Sequence, residues 1–158
     1  MPNITFVTGN KNKVMEAERI LGFKLEHIDI DLDEIQGLDP MVIADHKVRE
    51  AYIKVGEPIF ILDQSIYISC LNGFPGPLIK WFWESVTLQK ICKIAENFND
   101  YSIRTESIVT YFDGNEINHF RGEIFGTLPK EPRGEKGWGW DAMFIPNGST
   151  KTYAEMDL

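Results

Sequence analysis

In Ile4-Thr5-Phe6-Val7-Thr8-Gly9-Asn10-Lys11-Asn12-Lys13 a short apolar run gives way, through a Thr-Gly-Asn turn, to a stretch carrying two lysines. Beyond it Val14, Ala17, Ile20 and Leu21 recur on one helical face, so Asn3 to Val7 reads as a strand and Lys11 to Leu21 as a helix. Lys24 to Ile30 is a second strand by the same criteria. Pro40 then opens a stretch in which Met41, Ala44, Val48, Ala51, Tyr52 and Val55 fall three and four apart, an amphipathic helix with proline in its first turn. Pro58 to Leu62 follows as an apolar strand buried on both faces. Alternating strands and helices over this half place the chain in the α/β class, a sheet with helices packed on it.

The second half changes character. Gly73, Pro75, Gly76 and Pro77 punctuate a tight loop, after which Trp81, Phe82 and Trp83 and the periodic Leu88, Ile91 and Ala95 imply one broken or two short helices. Tyr101 to Phe112 and Glu116 to Ile124 are strand-like and joined through Asp113-Gly114, a hairpin signal that adds an antiparallel ribbon and makes the sheet mixed.

A length of 158 residues with 43% apolar and 25% charged residues suits one domain, 1–158, without a linker or repeat. The net charge of -8 argues against polynucleotide or anionic membrane as a partner held by bulk charge, so any phosphate site is local. Cys70 and Cys92 stand apart without metal-ligand spacing, and no run has the apolar length of a membrane span, so a reduced, cytoplasmic protein is expected.

Four groups of residues can carry chemistry. Thr8-Gly9-Asn10-Lys11-Asn12-Lys13 brings free backbone N–H groups, short polar caps and lysines to a helix start, which suits an anion. It equally suits a plain capped helix with solvated lysines. Asp29, Asp31, Asp33 and Glu34 crowd the exit of the second strand, and Asp63 ends the apolar strand Ile59-Phe60-Ile61-Leu62, at the edge where ligands of α/β sheets gather. Asp63 and one acid of that turn could hold Mg²⁺, with water and substrate phosphates completing the octahedron; a turn or capping role is the alternative. Lys80, delivered on a short helix beside aromatics, either clamps a phosphate or lies over the aromatic core. Gly137-Trp138-Gly139-Trp140-Asp141-Ala142 formally fits a dinucleotide-binding pattern but lacks the strand before and the helix after. It reads instead as a platform for a planar base, with one tryptophan stacking and the other in the core.

Taken in order, Val7-Thr8-Gly9-Asn10-x-x-Lys13, Asp31-Leu32-x-Glu34-x-Gln36-Gly37, Leu71-x-Gly73-x-Pro75-Gly76-Pro77-x-Ile79-Lys80-Trp81-Phe82, Phe120-Arg121-Gly122, Gly139-Trp140-Asp141 and Lys151-Thr152-Tyr153-Ala154-Glu155-Met156 resemble the inosine triphosphate pyrophosphatase family nearly end to end. The resemblance implies a mixed, twisted α/β sheet with flanking helices in two lobes around a central cleft, paired as a homodimer. It implies Mg²⁺-dependent hydrolysis of the non-canonical purine nucleoside triphosphates ITP, dITP and XTP to monophosphate and pyrophosphate. By position it makes Thr8, Gly9, Asn10, Lys13 and Lys80 triphosphate contacts, with Lys13 also catalytic. Glu34 and Asp63 become the metal ligands, Asp63 activating the water, and Trp138, Trp140 and Asp141 the base pocket. The family places an acid where this sequence has Leu62, and it continues past the last residue given, Leu158, into a segment with a lysine and a Ser-His-Arg motif. Those departures leave a second expectation open, a nucleotide-binding relative with weakened or lost catalysis and a regulatory or partner-dependent role.

Overall fold

A computed structural model describes residues 4–157. The elements run β1 (Thr5–Val7), α1 (Lys11–Leu21), β2 (His27–Ile28), α2 (Pro40–Val55), β3 (Ile59–Ile68), β4 (Pro75–Gly76), α3 (Ile79–Val86), α4 (Leu88–Phe98), β5 (Ser102–Phe112), β6 (Ile117–Thr127) and β7 (Ile145–Pro146). Short 3-10 turns stand at Ser69–Leu71, Asp141–Met143 and Tyr153–Glu155. The strand order is β2-β1-β3-β5-β6-β7, with β4 bonded to β3 off that path. β1 lies parallel to β2 and β3, whereas β4 is antiparallel to β3 and β7 to β6, so the sheet is mixed.

The chain forms two compact units, one built from the chain up to Asp63 with Ser107–Arg121, the other from Gln64–Glu106 and the chain from Gly122 onward. The first has a core in which Ala44, Val48 and Ala51 of α2 pack on Val7, Ile59, Ile61 and Phe112. Both of its helices start on a side-chain cap and end on a left-handed glycine: Asn10 and Gly22 bound α1, and Asp39 and Gly56 bound α2, with Pro40 in its first turn. In the second unit, Ile79, Ile91, Cys92 and Ala95 of α3 and α4 pack with Ile66, Ile68, Ile103, Trp140, Met143 and Phe144. The aromatic stretch thus becomes two helices parted at Thr87.

Three boundaries differ from the sequence reading, one of them the strand expected over Glu116 to Ile124, which runs on to Thr127 because Gly126 and Thr127 pair with Pro146 and Ile145. Only His27 and Ile28 of the expected Lys24 to Ile30 strand pair in the sheet. The Glu18 carboxylate explains this, since it accepts the Leu25 N–H (3.0 Å) and the Lys24 ammonium and ties those residues to α1. β3 does not stop at Leu62 but runs on to Ile68, because Ile66 and Ile68 bury into the second core and Ile66-Tyr67 pairs with Pro75-Gly76. Asp63 is therefore inside a long strand rather than at its end, although it lies beyond Phe60, where the pairing with β1 stops. Asn3, expected to begin β1, lies outside the described residues.

Ile61 is fully buried in the core shared with α2. Ile61→Ala should lower the unfolding free energy by about 2–5 kcal/mol with little change in the denaturant slope. A urea titration showing a loss below about 1 kcal/mol would mean that this core does not carry the unit.

Candidate active site

At the start of α1 the polar residues of the first loop serve the backbone. Thr8 Oγ1 accepts the Asn10 N–H (3.1 Å), and Asn10 Oδ1 accepts the N–H groups of Asn12 (2.9 Å) and Lys13 (3.4 Å). Gly9 is packed so closely against Asp29 that a Cβ there would overlap the carboxylate. The capped helix of the sequence reading is thus realised, and Lys13 is the member of the loop whose side chain reaches elsewhere. Its ammonium donates to the Leu62 carbonyl oxygen (2.7 Å). Burial pushes that ammonium below the ordinary lysine value, Asp63 pulls the other way, and the nearby Lys47 adds to the depression.

The centre of the cluster is Lys47, on α2. Its Nζ lies 2.8 Å from Glu34 Oε1 and 2.8 Å from Asp63 Oδ1, bridging two carboxylates from separate stretches of chain. Burial alone would lower its titration, but the attraction and hydrogen bonds of Asp63 and Glu34 outweigh that and raise it. Glu34 sits in a segment without regular structure between β2 and α2. That segment is fastened by the helix: Lys54 donates to the Asp31 carbonyl, and the Asp33 N–H donates to the Glu50 carboxylate, itself paired with Lys54.

The second oxygen of Asp63, Oδ2, is buried and has no hydrogen-bond partner among the described residues. A buried carboxylate oxygen left bare is costly unless a cation or a proton donor meets it. Among the described residues no group of three or more His, Cys, Asp or Glu could enclose a metal. The donor set of Asp63 with Glu34 therefore fits Mg²⁺ held by one or two carboxylates and completed by water and phosphate, and not an all-protein cage.

Lys47 was not singled out by sequence. Its signal was present: it stands three residues after Ala44 and four before Ala51, on the flank of the buried stripe of α2, where a lysine must find a partner. Leu62 contributes its main-chain oxygen to Lys13, and its side chain carries no charge to the cluster.

The remaining candidates belong to the second unit. Asp141 Oδ2 accepts the Trp138 N–H (2.8 Å) and lies where a Cβ on Gly137 would collide, so this carboxylate braces the turn. Trp140 is buried against Phe144 (centroids 5.8 Å apart, edge-on) and Tyr153 (6.1 Å), a core tryptophan. Trp138 is half-buried and is the one of the pair available for stacking. Gly139 packs beside Trp83 of α3, which anchors the turn. Only the short 3-10 turn Asp141–Met143 follows the glycines, not the α-helix that the dinucleotide pattern needs, so the pattern is formal only. Lys80 is exposed, its ammonium 5.3 Å from the Trp81 ring centroid, the arrangement of a lysine lying over an aromatic.

A lysine at the strand-to-helix loop thus stands next to a carboxylate pair bridged by a second lysine, so charges of both signs meet at one place. The family model of the Ham1 family matches residues 4–158. Among relatives, the dITP/XTP pyrophosphatase of Methanopyrus kandleri is 36% identical over 98% of this chain and 85% of its own length. The inosine triphosphate pyrophosphatase of Kluyveromyces lactis is 37% identical over 98% of this chain and 84% of its own. The solved structure of a HAM1 protein from Coxiella burnetii shares the fold with a TM-score of 0.84 at 24% identity, covering 99% of this chain and 88% of that one. The chain belongs to the Ham1 family.

The depressed titration of Lys13 has a defined sign in stability. Between its folded value and that of an unfolded lysine, the unfolded chain binds more protons, so the contribution of Lys13 to stability rises with pH across that alkaline window. Lys13→Met should lack that rise, so the difference in stability between the variant and the parent chain should shift in the parent's favour as pH rises through that window. Urea midpoints of both proteins across the neutral to alkaline range read this directly, and a gap independent of pH would exclude a strained buried ammonium.

Proposed function

We propose that this chain is a Mg²⁺-dependent pyrophosphatase of non-canonical purine nucleoside triphosphates, cutting ITP, dITP or XTP into the monophosphate and pyrophosphate. The observation that carries the reading is Asp63, whose bare buried oxygen stands beside two lysines and a second carboxylate. The names of the relatives, dITP/XTP and inosine triphosphate pyrophosphatase, support the substrate class.

In this reading Lys13 and Lys47 meet the phosphate oxygens, and their charge offsets what develops on the leaving pyrophosphate. Mg²⁺ held by Glu34 and Asp63 would supply further electrostatic stabilisation of the phosphate tail. Asp63 takes a proton from water as the water oxygen bonds to the α-phosphorus, the bond from that phosphorus to the bridging oxygen breaks, and pyrophosphate leaves with the electron pair. Thr8, Gly9, Asn10 and the Lys80 ammonium are assigned to the same tail, with the Thr8 and Asn10 N–H groups already bonded to Ile28 and Thr8. Trp138 is assigned to stack on the base, in a turn braced by Asp141 and seated on Trp140. A six-position oxygen asks for a donor where adenine presents an amino group, and a polar mismatch of that kind rejects the wrong base by a factor of ~10⁴. A cytoplasmic setting and a homodimer are part of this reading; among the described residues no helix is long and apolar enough to cross a membrane.

Pyrophosphate release from ITP, dITP, XTP, GTP and ATP, with Mg²⁺ and with chelator, tests the proposal. Release from the deaminated purines that stops on chelation is expected, and Asp63→Asn should lower kcat by about 10²–10⁴-fold. An unchanged rate in that variant would remove Asp63 from the water-activating role. Binding without release would identify a nucleotide-binding relative, and orthophosphate as the product would identify a different reaction.

A further inference from the structure

The first unit contains a second polar chain that the reaction does not use. His119, on β6, lies with Nδ1 3.0 Å from Thr110 Oγ1 of β5 and with Nε2 2.9 Å from Asp45 Oδ1 of α2. A hydroxyl, an imidazole and a carboxylate in this order resemble a nucleophilic triad, but Thr110 is fully buried and no substrate atom can reach it. Asp45 Oδ1 is buried and has no hydrogen-bond partner among the described residues; His119 Nε2, 2.9 Å away, is its ion-pair partner when the imidazole carries a proton.

The place of Asp45 on the helix gives the contact its meaning. At about 100° per residue, the buried Ala44, Val48 and Ala51 face the core, Asp45, Arg49 and Tyr52 lie on one flank, and Lys47, Glu50 and Lys54 lie on the other. The first flank meets β5 and β6: Asp45 with His119, Arg49 over the Phe112 ring at 5.7 Å, and Tyr52 edge-on to Phe112 at 4.8 Å. The second flank meets the acid-bearing segment and Asp63. Two of the three residues between the flanks are alanines, which offer little to stop the helix from turning about its axis. A roll of about 20° on a Cα cylinder of ~2.3 Å radius moves Lys47 by about 0.8 Å.

We propose that His119 is a positioning residue for the polyphosphate site: by holding Asp45 it fixes the roll of α2 and keeps Lys47 between Glu34 and Asp63. This rests on the reading that Lys47 meets the triphosphate, and the test separates the two. Steady-state kinetics with dITP are compared for the parent chain, His119→Ala, Lys47→Met and the double variant, with thermal midpoints showing that each is folded at the assay temperature. Misplacement of a binding group by about 1 Å costs up to ~10²-fold, so His119→Ala should lower kcat/KM about tenfold in the parent background and less than about twofold once Lys47 is gone.

A purely structural histidine would lower the midpoint while leaving kcat/KM unchanged or reduced by one factor in both backgrounds, and either result overturns the proposal. If Lys47→Met itself leaves kcat/KM unaltered, the reading of the phosphate site fails instead. Should His119→Ala not fold, Asp45→Ala makes the same comparison from the half-exposed end of the contact, with the same expected and excluding outcomes.

Discussion

The ammonium of Lys47 between Glu34 and Asp63 is the contact on which the rest of the candidate site depends. Two carboxylates brought close in a partly buried place repel, and the position of each is sustained because a cation stands between them. Asp63 brings a strand, Glu34 brings an irregular segment, and Lys47 brings a helix, so one charge joins three parts of the first unit. Lys13 lies next to this group. Its ammonium hangs from the Leu62 carbonyl oxygen, and the pull of Asp63 and Glu34 offsets only part of what burial costs it.

Around that contact α2 acts as a jig. Its buried face is small and smooth, and its two polar flanks are fastened on opposite sides, one to the hairpin of β5 and β6 and one to the Asp31 to Glu34 segment. That segment has no hydrogen-bond ladder of its own, so its acids are placed by side chains of the helix rather than by regular structure. Hydrogen-bonded fastening of this kind matters more for where groups stand than for how stable the fold is, since each net contribution is only about 1 kcal/mol.

Much of this was legible in the sequence wherever a period set the outcome. The stripe of Ala44, Val48 and Ala51 marked α2 together with its proline start, and the Leu88, Ile91 and Ala95 spacing marked α4. The end of β3 was not legible, because Asp63-Gln64 looks like the close of an apolar run and only the partner strand at Pro75-Gly76 shows that the chain stays extended. Asp63 was found from its place at the close of an apolar run, whereas Lys13 and Glu34 were picked out among neighbouring lysines and acids only through the family resemblance; the structure sets all three near Lys47. Lys47 escaped because a lysine on an amphipathic helix looks solvated until the fold supplies the acids facing it. For Thr8 and Asn10 residue type left an anion site and a plain helix cap open together, and their side chains are occupied in capping α1. The two tryptophans could not be told apart by spacing, and burial separates them.

Lys13 is anchored by an atom that every amino acid possesses. Because its acceptor is the peptide oxygen of residue 62 and not a side chain, the hold on this lysine survives whatever that position encodes, as long as the strand remains extended. Position 62 therefore need not present a side-chain acceptor to Lys13, and a leucine there leaves the contact intact. A main-chain tether of this sort makes the contact a property of the path of the strand and not of one side chain.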